Sequence, residues 1–210
     1  LTADGRRVMI AWMQNWASAG AKPAHCRWFG QMTLPRELSV RDGRLYQVPV
    51  RELERCRRHY VKHTGIAVTG ETSLPGVRGR VLDMTVTVRP AGGESCRWFC
   101  VRVAKDEKHE TRLQYRPGDG VLTLDRTRSG LPHDIVHTRK FLVRPRDGAI
   151  KLRIVLDRFS VEVFVNDGEQ AASTVIYTRQ EAEAITFEAG GSALVDVEKY
   201  DLIFDPEDTL

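Results

Sequence analysis

The sequence has 210 residues, of which 41% are hydrophobic and 29% charged, a balance too apolar for a disordered chain and ordinary for a folded one. No apolar run approaches the roughly 20 residues of a membrane helix, and no charged-then-apolar signal segment opens the chain. The net charge is +4, but 32 Lys and Arg are interleaved with 28 Asp and Glu, so no concentrated basic stripe points to nucleic acid.

Residue 1 is Leu rather than Met, so the start reads as a cut. From there, apolar and polar residues alternate with period two, and turn residues interrupt them roughly every 8–12 positions, the pattern of a sandwich or barrel. The first predicted strands cover 7–13, 29–35, 38–41 and 44–49. Arg41-Asp42-Gly43-Arg44 marks a tight hairpin between the last two, because Asp and Gly tolerate positive φ. Four strands are the content of one propeller blade, and a lone four-stranded sheet leaves a face uncovered, so missing upstream sequence is expected.

Residues 50–60 break the pattern. They contain no Gly or Pro, carry good helix formers, and place Leu53 and Cys56 on one face with Tyr60 near it. A short helix or helical turn is predicted, with Pro49 at its start. The Arg-rich run 51–58 is its solvated face, on which Glu52 can pair with Arg55. Beyond it, strands are predicted over 65–69, 80–89, 97–104, 110–116, 121–125, 139–143, 150–156, 160–165, 171–177, 184–188 and 193–203, enough for a complete sandwich. In the run 160–165, Val161, Val163 and Val165 share one face, and Glu162 and Phe164 the other, which puts Glu162 at solvent or at an interface. Asn166-Asp167-Gly168 then turns the chain. The domain reading is 1–48, last blade of an incomplete domain; 49–63, helical linker; 64–204, β-sandwich; 205–210, tail.

Three segments resemble glycoside hydrolase family 32: Gly5-Arg-Arg-Val-Met-Ile-Ala-Trp-Met-Gln-Asn-Trp16, Met32-Thr-Leu-Pro-Arg-Glu-Leu38 with Asp42-Gly-Arg-Leu-Tyr-Gln-Val-Pro-Val-Arg-Glu-Leu53 behind it, and Val121-Leu-Thr-Leu-Asp-Arg-Thr-Arg-Ser-Gly130. The hairpin Leu156-Asp-Arg-Phe-Ser-Val-Glu-Val-Phe-Val-Asn-Asp-Gly168 agrees in the same register. The resemblance implies an all-β chain: the last blade of a five-bladed propeller, a short helical linker and a two-sheet, jelly-roll-like sandwich of roughly six strands a sheet. It implies hydrolysis of terminal β-fructofuranosyl bonds in sucrose, sucrose 6-phosphate or fructans with retention, which needs two carboxyl groups ~5–5.5 Å apart. That family keeps its carboxylates in W-M-N-D-P-N and E-C motifs, with an R-D-P motif holding the sugar. Here Trp12-Met-Gln-Asn15 is followed by Trp16, Arg41-Asp42 and Arg146-Asp147 are each followed by Gly, and Glu94-Ser-Cys96 has the wrong spacing for E-C. The chain alone is therefore expected to be inactive, with no catalytic residue of its own.

The resemblance places Asn15 and Trp16 at the rim of the sugar funnel as substrate-binding residues, and an indole face with its N–H suits a sugar. Trp12 and Trp28 are expected in the core. Arg36 and Glu37 are expected in a salt bridge or buried network. Asp157 and Asp167 sit at opposite ends of a hairpin, ~25–30 Å apart, and cannot form a catalytic pair. His59 and His63, and His133 and His137, are spaced i, i+4 but lack a third ligand, so no metal and no cofactor are expected. The four cysteines, Cys26, Cys56, Cys96 and Cys100, match no metal or redox spacing and are expected as thiols of a cytoplasmic protein. The expected partners are a fructoside, once the upstream propeller is supplied, and a second copy through exposed blade or sandwich surface, with no nucleic acid and no membrane. A purely structural or oligomerisation module is one competing reading, and a carbohydrate-binding sandwich is the other. It needs outward aromatics among Trp98, Phe99, Tyr115 and Phe141, and alternation allows at most one of Trp98 and Phe99.

Overall fold

A computed structural model of the chain describes residues 2–14, 22, 30–90, 96–130 and 136–204. Three sheets account for its strands. The first is antiparallel, β1 (Arg7–Met9), β2 (Arg36–Arg41) and β3 (Arg44–Pro49) in that order. Its β2–β3 turn has Asp42 at φ 49° and Gly43 at φ 72°, as the Asp-Gly pair requires. The expected strands over 7–13 and 29–35 are shorter here. Beyond Met9 the first survives as a single bridge between Trp12 and Met32, and Phe29 lies outside the described residues.

Of the short helix or helical turn expected over 50–60, a 3-10 segment remains, Arg51–Cys56, and Arg57 begins a twelve-residue strand, β4 (Arg57–Val68). Pairing with β14 (Ala193–Leu202) overrides helix propensity: Arg57 lies opposite Leu202, and Val68 opposite Ala193. Tyr60 consequently stacks on Tyr200, ring centroids 4.7 Å apart, rather than joining Leu53 and Cys56. Glu52 pairs with Arg6 instead of Arg55.

The sandwich has sheets of six and five strands. The larger runs β12 (Gln170–Val175), β11 (Ser160–Val165), β10 (Ile150–Asp157), β5 (Leu82–Pro90), β14 and β4. The smaller runs β13 (Ala184–Gly191), β6 (Cys96–Lys105), β7 (Thr111–Arg116), β8 (Val121–Asp125) and β9 (Thr138–Leu142). Alternate residues of each fill the space between them. Leu82, Met84, Val86, Leu152, Ile154, Val161 and Val163 meet Phe99, Val101, Leu113, Tyr115, Leu122 and Phe187 in one core. Each such side chain contributes about 1.5–3 kcal/mol on burial.

Every residue of β11 is buried, which one inner face cannot explain. The second face of the six-stranded sheet is covered too. Leu53 of the 3-10 turn packs there with Val155, Phe164 and Leu202, joined by Leu34 and Ala171. The turn after β11 closes the junction. Asn166, Asp167 and Gly168 all have positive φ, and the Gln47 N–H donates to the Gly168 carbonyl at 2.9 Å. A Cβ on Gly168 would lie 2.8 Å from the Gln47 carbonyl carbon, so only glycine lets this turn lie against β3.

Candidate functional site

Asn15 and Trp16, the expected sugar-contacting residues, lie outside the described residues, as do Cys26, Trp28 and His133. The chain leading up to residue 15 is described, and the sandwich grips it. Met13 donates its N–H to the Gln31 carbonyl at 2.9 Å and packs with Phe159, Val175 and Tyr177 in a small separate core. The Gln14 amide donates to Tyr177 Oη, and the Gln31 amide to the Phe159 carbonyl, both at 2.8 Å. Tyr177 and Phe159 were not singled out from the sequence. Phe159, directly after Asp157-Arg158, carried a local signal as an aromatic at a turn; nothing local marked Tyr177.

The second anchor is electrostatic. Glu162 is 1% exposed. Its carboxylate accepts from the Leu34 N–H at 2.6 Å, from Arg36 Nε at 3.2 Å and from Arg36 Nη2. Arg36 also donates to Gln47 Oε1 at 3.0 Å and to Ser173, and its guanidinium lies 5.1 Å from the Phe164 ring centroid. Of the two places expected for Glu162, the interface is the one found. Arg36 and Glu37 form networks as expected. Glu37 takes bonds from Arg51 (N–H and Nε at 3.0 and 3.1 Å) and from Arg6 at 2.7 Å, and the Arg51 bonds above all hold its carboxyl down at about 2.

These carboxylates bind arginines; they are not arranged for bond cleavage. Asp157 caps its own turn through the Arg158 N–H at 2.7 Å, and Asp167 pairs with Lys151 at 2.7 Å at the far end of the hairpin. Asp83 is held by Arg57 and Arg153, and Glu110 by Arg102, Arg112 and Arg128. His59 and His63 both lie on β4, an extended strand. His59 Nδ1 is 2.9 Å from Asp201 Oδ2, and His63 Nε2 is 2.9 Å from the Pro75 carbonyl. No group of three His, Cys, Asp or Glu able to hold a metal occurs among the described residues. Cys56, Cys96 and Cys100 are free, and burial pushes the Cys100 thiol up to about 12. No described helix is long and apolar enough to cross a membrane.

Trp12 departs from its expected place in the core: it is 42% exposed on the three-stranded sheet, near exposed Ile10 and Met32. Of the sandwich aromatics, Phe99 and Tyr115 are fully buried, and Phe141 packs against the core. Trp98 is the one on the outer face, opposite Gly190.

Comparison with known proteins matches both halves of this architecture. Residues 52–202 match the profile described as "Glycosyl hydrolases family 32 C terminal", and residues 1–49 match "Glycosyl hydrolases family 32 N-terminal domain". The chain is 32% identical to the raffinose invertase of Escherichia coli over 93% of its own length and 39% of that protein's. It is 31% identical to the sucrose-6-phosphate hydrolase of Staphylococcus xylosus, over 96% and 40% respectively. The fold superposes on the exo-inulinase of Aspergillus awamori with a TM-score of 0.78 at 22% identity, covering 93% of this chain and 40% of that one. The chain thus spans about two fifths of these proteins.

Proposed function

Because the chain belongs to glycoside hydrolase family 32, we propose that it supplies the last propeller blade and the β-sandwich of a retaining β-fructofuranosidase acting on sucrose, sucrose 6-phosphate or fructans. The observation that carries the reading is the junction. The two family segments meet within this chain, and Arg36 of one is buried against Glu162 of the other. In this reading the sandwich is a clamp. Tyr177 and Phe159 hold residues 13 and 14, immediately before Asn15 and Trp16, and these two contact the fructosyl unit at the funnel rim. The nucleophile and the acid/base come from sequence outside this chain. The exposed Ile10, Trp12 and Met32 form the surface on which the neighbouring blade packs, and the parent enzyme works in the cytoplasm.

The chain alone then hydrolyses no fructoside. An assay of released reducing sugar on sucrose, sucrose 6-phosphate and inulin should stay at the uncatalysed background. Turnover that survives purification, and falls on substituting Asp157 or Glu162, would place a catalytic pair within the chain and overturn the reading. A carbohydrate-binding role for the sandwich has one observation in its favour, the outward Trp98.

A further inference from the structure

Two aromatic side chains, Phe159 and Tyr177, form the seat for Met13 and Gln14, and they come from different parts of the sandwich. Phe159 lies in the turn between β10 and β11. Tyr177 lies beyond the end of β12, and the five-stranded sheet holds it from one side. Its N–H donates to the Ser129 carbonyl at 2.7 Å, and a Cβ on Gly130 would lie 2.8 Å from the Tyr177 carbonyl carbon. A glycine at this position, with φ 81°, lets the turn after β8 approach so closely. The two rings stand 5.9 Å apart between centroids, tilted by 44°. A backbone bond joins the two segments directly, from the Ile176 N–H to the Phe159 carbonyl at 2.9 Å.

Arg80 makes a second connection. It is 5% exposed, as buried as Arg36, yet where Arg36 faces Glu162, Arg80 forms no ion pair among the described residues. Its guanidinium donates instead to the Thr178 hydroxyl and, at 2.6 Å, to the Arg158 carbonyl, while its Nε is buried without a partner among the described residues. Arg158 immediately precedes Phe159, and Thr178 immediately follows Tyr177. The guanidinium therefore bridges the flanks of both aromatics. Gln180 adds a second donor to the same Arg158 carbonyl at 3.0 Å. The backbone on either side of Arg80 is fixed: Gly79 donates its N–H to the Glu183 carbonyl at 2.9 Å, and the Val81 carbonyl accepts from the Leu202 N–H at 3.1 Å. Burial pushes the Arg80 guanidinium down to about 10, with Asp157, Glu181 and Glu183 offsetting this in part at longer range. An apolar residue would fill the space without that desolvation cost. What an arginine adds is a rigid planar fork that reaches two acceptors at a set spacing.

We propose that Arg80 is a positioning residue: it sets the spacing between Phe159 and Tyr177, and so seats Met13 and Gln14, the residues that lead into the substrate site. That site rests on the function proposed above; the seat itself rests on the hydrogen bonds around Arg80.

The test is hydrogen exchange and methyl NMR on the 210-residue chain. Two signals report the seat: the Met13 amide, bonded to the Gln31 carbonyl, and the Met13 methyl, whose shift carries the ring currents of Phe159 and Tyr177. Arg80→Met should quicken exchange at Met13 by about tenfold or more and move its methyl shift toward that of an exposed methionine, while amides in β6 and β10 change by less than about twofold. Arg80→Lys keeps the charge and part of the reach, and should recover part of both signals. Thr178→Val removes one acceptor and leaves the arginine in place. It should quicken Met13 by about threefold, and it decides the question if Arg80→Met unfolds. A merely structural arginine would quicken all these amides together. That result, an undisturbed Met13, or a lysine variant no better than the methionine one would each overturn the proposal. Because no sugar is turned over, failure here leaves the enzyme reading standing. Conversely, a seat set by Arg80 would survive failure of the enzyme reading.

Discussion

Glu162 and Arg36 lie 126 positions apart and meet with little water around either. Removing one partner strands the other charge, whereas replacing both with apolar groups removes the desolvation cost along with the attraction. Glu162→Leu or Arg36→Met alone should therefore lower unfolding free energy in urea by about 3–5 kcal/mol, and the double variant should lose far less than the sum. Additive losses would show that the pair is not coupled. Glu37 makes a second prediction at this scale. Its carboxyl is depressed from 4.5 to about 2 by Arg51 and Arg6. A depressed folded value stabilises the fold above the unfolded pKa, and that stability is lost as pH falls through the folded one. The advantage of the native chain over Glu37→Gln should be full above about pH 5 and vanish between about pH 4.5 and 2, as read by thermal melts across that range. An advantage unchanged down to pH 2 would mean the ion pairs do not hold in solution. Alternation alone showed which way Glu162 points. Its partner could not be read, because nothing local records a contact across 126 residues.

At the scale of the element, the hairpins were legible because their turns need specific residues. Asp42-Gly43 and Asn166-Asp167-Gly168 all adopt the positive φ that their residue types suggest. The helical turn expected within 50–60 is present over Arg51–Cys56, but residues 57–60 are strand, because the free flank of β14 offers twelve residues of pairing that outweigh a helix-favouring composition. Only the 3-10 turn remains, held by Leu53. Leu53→Ala, which empties a site between Val155, Phe164 and Leu202, should cost about 2–5 kcal/mol in chemical unfolding. Gly168→Ala should cost more than about 1 kcal/mol, since it combines a left-handed φ with a backbone collision. Its effect should concentrate on the blade: amide exchange should quicken in β3 and leave β5 and β10 protected. Uniform exchange across both sheets would contradict a junction that depends on this turn.

For the whole molecule, the sandwich closes one core between its two sheets, whereas the three-stranded sheet leaves apolar residues exposed. Its Ile10, Trp12 and Met32 are exposed, although Trp12 was expected in the core, and nothing among the described residues covers them fully. The chain in isolation should therefore self-associate, with a sedimentation coefficient that rises with concentration, and Ile10→Lys with Met32→Glu should suppress the rise. A strictly monomeric native chain at high concentration would contradict this. The architecture was readable because alternation and turns are local. The site was not, because Asn15 and Trp16 lie outside the described residues and, under the proposed function, the reacting carboxylates come from sequence outside this chain. The most direct test of the account is therefore to mix the purified chain with a separately produced N-terminal propeller portion and to follow sucrose hydrolysis. The account predicts that neither part alone is active and that activity appears on mixing and saturates at one-to-one stoichiometry. A propeller portion fully active by itself and unchanged by the chain would contradict the clamp assigned to the sandwich.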